Sequence, residues 1–249
     1  MISTIVRRGI QYDTILLNLA PLTLVDETKE QYGSIGNLYK TFLEAGASKL
    51  EESELLERAD LYVSSYDVVN KQDYPDLEKI DAVILTGSRY DAFTPGLNNW
   101  ISKLVDFIRK MLQDRSRVRI IAVCFGHQIV GRAYGVMPER NDAGWEVSVT
   151  PVVLTESGKQ LFGQESLALH QMHRDVLPRY SSSASVEPIG HSDHGDVQGI
   201  YVKNPSEFLE RRHGSVLDEA TYQDGKDRAN DPHDGVTVGA RFLMFLLEG

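Results

Sequence analysis

Cys124 is the single cysteine of this 249-residue chain, and it directly follows the apolar run 120–123 in the sequence Val-Cys-Phe-Gly-His-Gln. A cysteine at a turn from a strand into a helix can be presented on a strained corner as a nucleophile. The N-terminus of the helix lowers the pKa of such a thiol and favours the reactive thiolate. The amide of Phe125 would face an oxyanion at the nucleophile, and Gly126 would leave room for a substrate. The pattern favours a nucleophile over the alternative, a small buried packing residue.

The segments around this turn alternate between apolar runs typical of buried strands and runs with helical periodicity. Strands are predicted at 14–20, 61–69, 80–86 and 119–123, and helices at 35–44 (ending at Gly46), 99–112 and 128–134. A half-exposed strand is predicted at 145–154, and further short strands are predicted at 167–172, 184–189 and 197–202. Helical sequence is predicted from 205 onward and ends in a helix at 236–247. The alternation predicts an α/β fold with a mainly parallel central sheet. Ligands bind at the carboxyl ends of such strands, so the residues that follow positions 86 and 123 are candidates for a ligand site.

Composition and charge restrict the function further. Lys and Arg number 26 against 36 Asp and Glu, so the formal net charge is −10 and the pI is about 5.2. A negative field of this size disfavours nucleic acid and anionic membranes as partners. One cysteine excludes an internal disulfide framework and a cysteine-based zinc site. We therefore expect a cytoplasmic chain that forms a single domain over 1–249 and acts on a small molecule.

Four stretches of sequence together carry a family resemblance. The Cys-Phe-Gly-His-Gln motif at 124–128 resembles the nucleophile motif of the class I glutamine amidotransferases. The stretch 84–88 resembles the oxyanion strand of that family, and 169–175 resembles the segment beside the α-amino acid end of its substrate. The stretch 196–201 resembles the strand that leads to the last catalytic motif. The resemblance is strongest to the stand-alone branch of fungi and plants, which includes γ-glutamyl peptidases.

The resemblance implies a three-layer, flavodoxin-like α/β fold and a cysteine thioester mechanism on amide or γ-glutamyl bonds, in nitrogen or secondary metabolism. It implies Cys124 as the nucleophile, the amides of Gly87 and Phe125 as oxyanion donors, and Ser88, Gln128 and His173 as substrate contacts. It implies no cofactor and no metal. The expected partners are a small-molecule amide or γ-glutamyl substrate and either an acceptor enzyme or a second copy of the chain.

This sequence departs from the family pattern at the catalytic base. The family base is the histidine of a His-Pro-Glu motif, and the chain contains no His-Pro-Glu. After Lys203 the sequence continues as Asn-Pro-Ser-Glu, so Asn204 occupies the histidine position in one alignment, and asparagine has no titratable nitrogen. Three explanations stay open: a segment lost through wrong intron boundaries, a catalytically impaired relative that binds a ligand or partner, or another histidine acting as the base.

The other histidines are weak candidates for this role or for a metal site. His127 lies three residues after the cysteine and is expected to point into the scaffold. A polar loop at 190–196 contains two histidines and two aspartates, but such a loop binds zinc only if its geometry closes. His170 and His173 lie near the presumed substrate segment, where the alternative to a substrate contact is a structural, hydrogen-bonded histidine, and His213 and His233 are expected at the surface.

Overall fold

The computed structural model describes residues 12–18, 30, 33–52, 61–93, 99–113, 118–178, 186–202 and 234–247. The chain divides into two compact units. The first draws on the segments 1–89, 115–126 and 236–249, and the second on 90–114 and 127–235. The single domain expected over the whole chain stays a prediction.

A four-stranded parallel sheet forms the centre of the first unit. Its strands are β1 (Tyr12–Asn18), β2 (Leu61–Asp67), β3 (Ala82–Leu85) and β4 (Arg119–Ala122), in the spatial order β2-β1-β3-β4. All pairings are parallel, with Val83 opposite both Ile15 and Ile120. Strand β3 is buried at every position because it lies between two neighbours and is entirely apolar.

Five α-helices and one short 3-10 helix (Leu77–Lys79) have bounds in the described part of the chain. The α-helices are α1 (Ile35–Glu52), α2 (Asn99–Gln113), α3 (Phe125–Ala133), α4 (Glu156–Phe162) and α5 (Gly235–Leu247). Helices α1 and α5 share one hydrophobic cluster with the central strands. Its buried members are Leu43, Leu50, Ala82, Ile84, Ile121, Ala240 and Leu243. The apolar positions of α1, spaced three and four residues apart, therefore face this cluster.

The predicted end of the first helix at Gly46 is wrong, because α1 continues to Glu52. A β-carbon at Gly46 would lie 2.5 Å from the carbonyl carbon of Gly239 and 2.6 Å from the amide nitrogen of Ala240. The glycine therefore serves the close crossing of α1 and α5 instead of a helix terminus.

A second, antiparallel sheet belongs to the second unit. Its strands are β6 (Glu146–Leu154), β7 (Ser166–His173), β9 (Val186–Ser192) and β10 (Gly195–Val202), in the order β10-β9-β6-β7. The short strands β5 (Glu139–Arg140) and β8 (Asp175–Val176) pair separately. The loop predicted at 190–196 is wrong, since His191 lies in β9 and His194 lies in the turn to β10.

The α/β, flavodoxin-like class predicted from the sequence is confirmed. The helical sequence predicted between 205 and the start of α5 lies outside the described residues. Within the described ranges, none of the helices combines the length and the apolar character that crossing a membrane requires.

Candidate active site

Cys124 occupies the corner between the end of β4 and the start of α3. Its side chain is exposed, and its backbone φ is 53°, in the left-handed region that residues other than glycine seldom adopt. Such a conformation costs on the order of 1–3 kcal/mol and persists only where the surrounding structure holds it. The cysteine is therefore presented to solvent by a strained backbone.

Hydrogen bonds from both sides fix this corner to the end of β3. The amide of Val123 donates to the carbonyl oxygen of Leu85 at 2.9 Å. The amide of Gly126 donates to the carbonyl oxygens of Val123, at 2.9 Å, and Thr86, at 3.2 Å. Because Leu85 and Thr86 are fully buried, the anchor of the corner belongs to the rigid core.

Gly126 is required by packing at this anchor. A β-carbon at Gly126 would lie 2.6 Å from the carbonyl oxygen of Leu85, which is a backbone atom and cannot rotate away. This reason for the glycine differs from the substrate access that the sequence suggested.

The backbone of Gly87 lies beside the thiol. A β-carbon at Gly87 would be 3.6 Å from the Cys124 β-carbon and 3.9 Å from its Sγ. On the other side of the cysteine, Phe125 is the first residue of α3, where backbone N–H groups have no acceptor within the helix. The structure thus brings together the three residues predicted for the nucleophile and its oxyanion donors. Ser88, predicted as a substrate contact, follows Gly87 and is half-buried.

Tyr39 of α1 is electrostatically coupled to this corner, and the sequence analysis did not single it out. Burial and, secondly, the negative charge of the Cys124 thiolate raise the pKa of the Tyr39 phenol well above its ordinary value. A hydrogen bond from the backbone amide of Gly87 to the phenol oxygen acts in the opposite direction. No local signal in the sequence links positions 39, 87 and 124, because only the sheet topology brings them together.

The other two predicted substrate contacts lie in the second unit. Gln128 is 6% exposed, and its side-chain nitrogen Nε2 donates to the carbonyl oxygen of Asp175 at 3.2 Å. His173, at the end of β7, has its Nε2 atom 3.3 Å from Oε2 of Glu146. Both side chains thus have partners within their unit, and their contact with a substrate stays a prediction.

Glu146 is the centre of a buried polar network that sequence reasoning missed. Its oxygens accept hydrogen bonds from Gln198 Nε2 at 2.6 Å and Thr150 Oγ1 at 2.9 Å. Burial by itself would raise the pKa of Glu146, but hydrogen bonds with His173, Ser192 and Thr150 outweigh burial and hold the pKa below its usual value. Glu146 is therefore an ionised carboxylate at neutral pH.

Arg140 is clamped in a second polar cluster. Its guanidinium lies 3.2 Å from Asp91 Oδ1 and 3.1 Å from Asp175 Oδ1, and 5.4 Å above the ring of Phe93. Burial raises the pKa of Asp175 to about 6, since the opposing effect of Arg140 is smaller and the charge of Asp91 adds to the rise. The carboxyl group of Asp175 thus titrates just below neutral pH.

All seven histidines belong to the second unit, whereas Cys124 belongs to the first. In the second unit, burial and then the charge of His173 lower the pKa of His127 to about 4, so His127 is neutral at physiological pH. His213 and His233 lie outside the described residues. In the ranges that the structure describes, no group of three or more His, Cys, Asp or Glu side chains could hold a metal ion.

Comparison with solved structures defines the fold class. A glutamine amidotransferase from Thermotoga maritima superimposes with a TM-score of 0.63 over 96% of this chain and 99% of that protein, at 14% identity. Residues 37–209 match the family described as glutamine amidotransferase class-I. The chain therefore belongs to the class I glutamine amidotransferase family.

Two relatives refine this assignment and confirm the resemblance noted in the sequence. A protein described as glutamine amidotransferase-like from Schizosaccharomyces pombe is 29% identical over 255 residues, covering 95% of this chain and 99% of that protein. Gamma-glutamyl peptidase 2 of Arabidopsis thaliana is 33% identical over 133 residues, covering 52% of this chain and 51% of that protein.

Proposed function

We propose that the chain cleaves carboxamide or γ-glutamyl amide bonds through a covalent thioester on Cys124. The observation that carries the proposal is the exposed cysteine on a strained strand-to-helix corner, with Gly87 so near that a β-carbon there would lie 3.9 Å from the Cys124 Sγ. Family membership and the similarity to a γ-glutamyl peptidase support the choice of substrate class.

The reaction would proceed in two stages. The thiolate of Cys124 attacks the amide carbonyl carbon and forms a tetrahedral oxyanion, which accepts hydrogen bonds from the amides of Gly87 and Phe125. Cleavage of the C–N bond leaves a thioester, and the departing nitrogen takes up a proton to leave as ammonia or an amine. Water then attacks the thioester, releasing the carboxylic acid and the thiol.

The oxyanion donors alone can support measurable catalysis. Removing one such donor from a hydrolase typically costs about 3 kcal/mol, or roughly a hundredfold in rate. Two backbone donors at a preorganised corner therefore allow residual turnover even when proton transfer is inefficient. This matters here because the chain contains no His-Pro-Glu sequence.

That same sequence feature favours a second candidate function. A relative without an efficient base would retain the fold and the reactive thiol but would bind a ligand or partner without turnover. The two candidates differ in a measurable way, because both predict a reactive cysteine and only the first predicts sustained product release.

The experiment uses the purified chain, a glutamine-mimicking electrophile and intact-mass measurement after short incubation. We expect one adduct that forms much faster than with free cysteine and is absent from Cys124→Ala. Labelling no faster than free cysteine would overturn Cys124 as the nucleophile.

Turnover is measured next, as ammonia released from glutamine and amine released from a γ-glutamyl amide. Release that Cys124→Ala abolishes establishes the hydrolase, whereas rapid labelling without release establishes the second candidate. Sequencing of the transcript across codons 203–205 tests the missing motif directly. A restored His-Pro-Glu segment would supply the histidine that acts as the base in this family.

A further inference from the structure

Arg140 joins the short strands β5 and β8 through its side chain. The two strands pair over two residues each, with Arg140 opposite Asp175, and so short a ladder is marginal on its own. The guanidinium forms an ion pair with Asp175 and donates a hydrogen bond to Asp91 Oδ1 at 3.2 Å. Only 9% of this side chain is exposed. The position of β8 therefore depends on a charged, largely buried side chain as well as on backbone pairing.

Helix α3 rests on the segment that begins with β8. A β-carbon at Gly131 would lie 2.6 Å from Cδ2 of the buried Leu177. One turn earlier on α3, Gln128 donates from Nε2 to the carbonyl oxygen of Asp175 at 3.2 Å. Residues three apart lie on the same face of a helix, so both contacts fix this face of α3 against 175–177. Asp175 thus meets an arginine through its carboxylate and a glutamine through its carbonyl.

The hydrogen bond to Asp175 determines the orientation of the Gln128 amide. An amide side chain carries a donor nitrogen and an acceptor oxygen, so fixing the nitrogen on a carbonyl also fixes the direction of the oxygen. Because Gln128 is 6% exposed, its side chain has little room to turn. Gln128 is the substrate contact predicted on α3. A displacement of the Asp175 carbonyl would therefore be passed on to that contact.

We propose that Arg140 is a positioning residue for substrate recognition, which holds Asp175 so that its carbonyl oxygen orients the Gln128 amide toward the substrate. The inference rests on the proposed function, because it takes Gln128 as a contact of the amide or γ-glutamyl substrate. The planar guanidinium suits this role, since it engages Asp175 and Asp91 at once while its carbon lies 5.4 Å above the Phe93 ring. A lysine at this position would keep the charge but lose the fixed fork of donors.

The test measures equilibrium binding of L-glutamine, the simplest γ-glutamyl amide, by ligand-observed NMR in chains that also carry Cys124→Ala. Burial raises the pKa of Asp175 to about 6, so the carboxylate is ionised at a working pH of about 7.5. We expect Arg140→Gln to weaken binding roughly tenfold, and Arg140→Lys to weaken it less, because a misaligned amide loses about one hydrogen bond. The matched control is Arg109→Gln, which removes an exposed arginine paired with Asp106 on α2 and should leave binding unchanged.

A double-mutant cycle separates positioning from a general loosening of the fold. Gln128→Ala alone should weaken binding, and adding Arg140→Lys to it should weaken binding no further, because Arg140 acts through Gln128. The cycle uses Arg140→Lys so that it can be completed even when Arg140→Gln does not fold. Equal effects of Arg140→Lys with and without Gln128 would overturn the inference. So would folded Arg140 variants that bind L-glutamine as tightly as the Cys124→Ala chain, or a Cys124→Ala chain that shows no saturable binding.

The proposed function fails separately. An absence of Cys124 labelling, or of ammonia or amine release, removes the hydrolase and leaves the binding comparison intact, since the chains used for binding contain no cysteine. Conversely, Cys124-dependent release together with additive effects of the two substitutions would retain the hydrolase and remove Arg140 from substrate recognition.

Discussion

A β-carbon added to Gly126 would lie 2.5 Å from the β-carbon of Leu85, so the start of α3 rests directly on the end of β3. Cys124 lies two residues before this contact and takes its left-handed backbone conformation there. The strain at the cysteine is therefore balanced by burial of Leu85 and by the hydrogen bonds from Val123 and Gly126.

Gly126→Ala is expected to destabilise the protein by about 2 kcal/mol or more, because overpacking against a backbone oxygen forces the helix away from the strand. Urea unfolding at constant pH measures the change. The control is Gly87→Ala, whose β-carbon would make only ordinary contacts of 3.6 Å and longer. Equal stability of the two variants would contradict the packing role of Gly126.

Gly46→Ala is expected to cost about 1–3 kcal/mol, since its β-carbon would meet the backbone of α5 at 2.5 Å. In an isolated helix the same substitution would be favourable by about 1 kcal/mol, so the sign of the effect separates helix crossing from helix propensity. Thermal unfolding followed by circular dichroism gives the measurement. Ser48→Ala, at an exposed position of the same helix, should be neutral or stabilising. A stabilised Gly46→Ala variant would show that the two helices do not cross closely.

Glu146→Gln is expected to destabilise the protein by about 1–3 kcal/mol at neutral pH, because it removes the charge from a buried, hydrogen-bonded carboxylate. The pKa of Glu146 is lowered from its ordinary value of 4.5, so the contribution of the charge is complete above that pH. It is lost as the pH falls through the lower folded value. Stability curves of the two proteins should therefore converge under acidic conditions. Glu51→Gln, at an exposed position of α1, is the control, and a constant difference at every pH would contradict the assignment.

Asp175→Asn is expected to remove a decline of stability that the unsubstituted chain shows between about pH 4 and 6. The pKa of Asp175 is raised from 3.8 to about 6 in the folded state. Protonated Asp175 therefore contributes its full stabilisation of the folded state below pH 3.8. This contribution declines as the pH rises and is lost once the pH has passed about 6. Denaturant unfolding at closely spaced pH values measures the slope. The exposed Asp142→Asn should keep the decline, and its persistence in Asp175→Asn would refute the prediction.

Much of the fold could be predicted because its signals are local. The apolar run 82–85 is buried at all four positions, and the apolar spacing of α2 predicted that helix to within one residue at each end. Gly46 misled the prediction of α1, because the same residue type ends a helix or admits a neighbouring helix. Only the contact with Gly239 of α5, nearly two hundred residues later in the sequence, shows that Gly46 admits a neighbouring helix and does not end its own.

The candidate site was predictable where its residues are neighbours in sequence. The corner at Cys124 follows from an apolar strand, a cysteine directly after it and a glycine two residues further on. Tyr39 and the network around Glu146 were not predictable, since their partners come from other strands and helices. Thr150 is on the same strand as Glu146, but Gln198 is 52 positions away. Distant hydrogen bonds of this kind leave no periodic trace in the sequence.

The participation of α5 in the first core has a consequence for biosynthesis. Ala240 and Leu243 share a cluster with residues between 43 and 121, so that cluster stays incomplete while the ribosome is still translating the preceding hundred codons. Nascent chains must keep the apolar faces of α1, β3 and β4 from aggregating during this interval. A premature stop codon anywhere before position 240 would therefore give a product in which the residues of α1, β3 and β4 in this cluster lack the packing of Ala240 and Leu243.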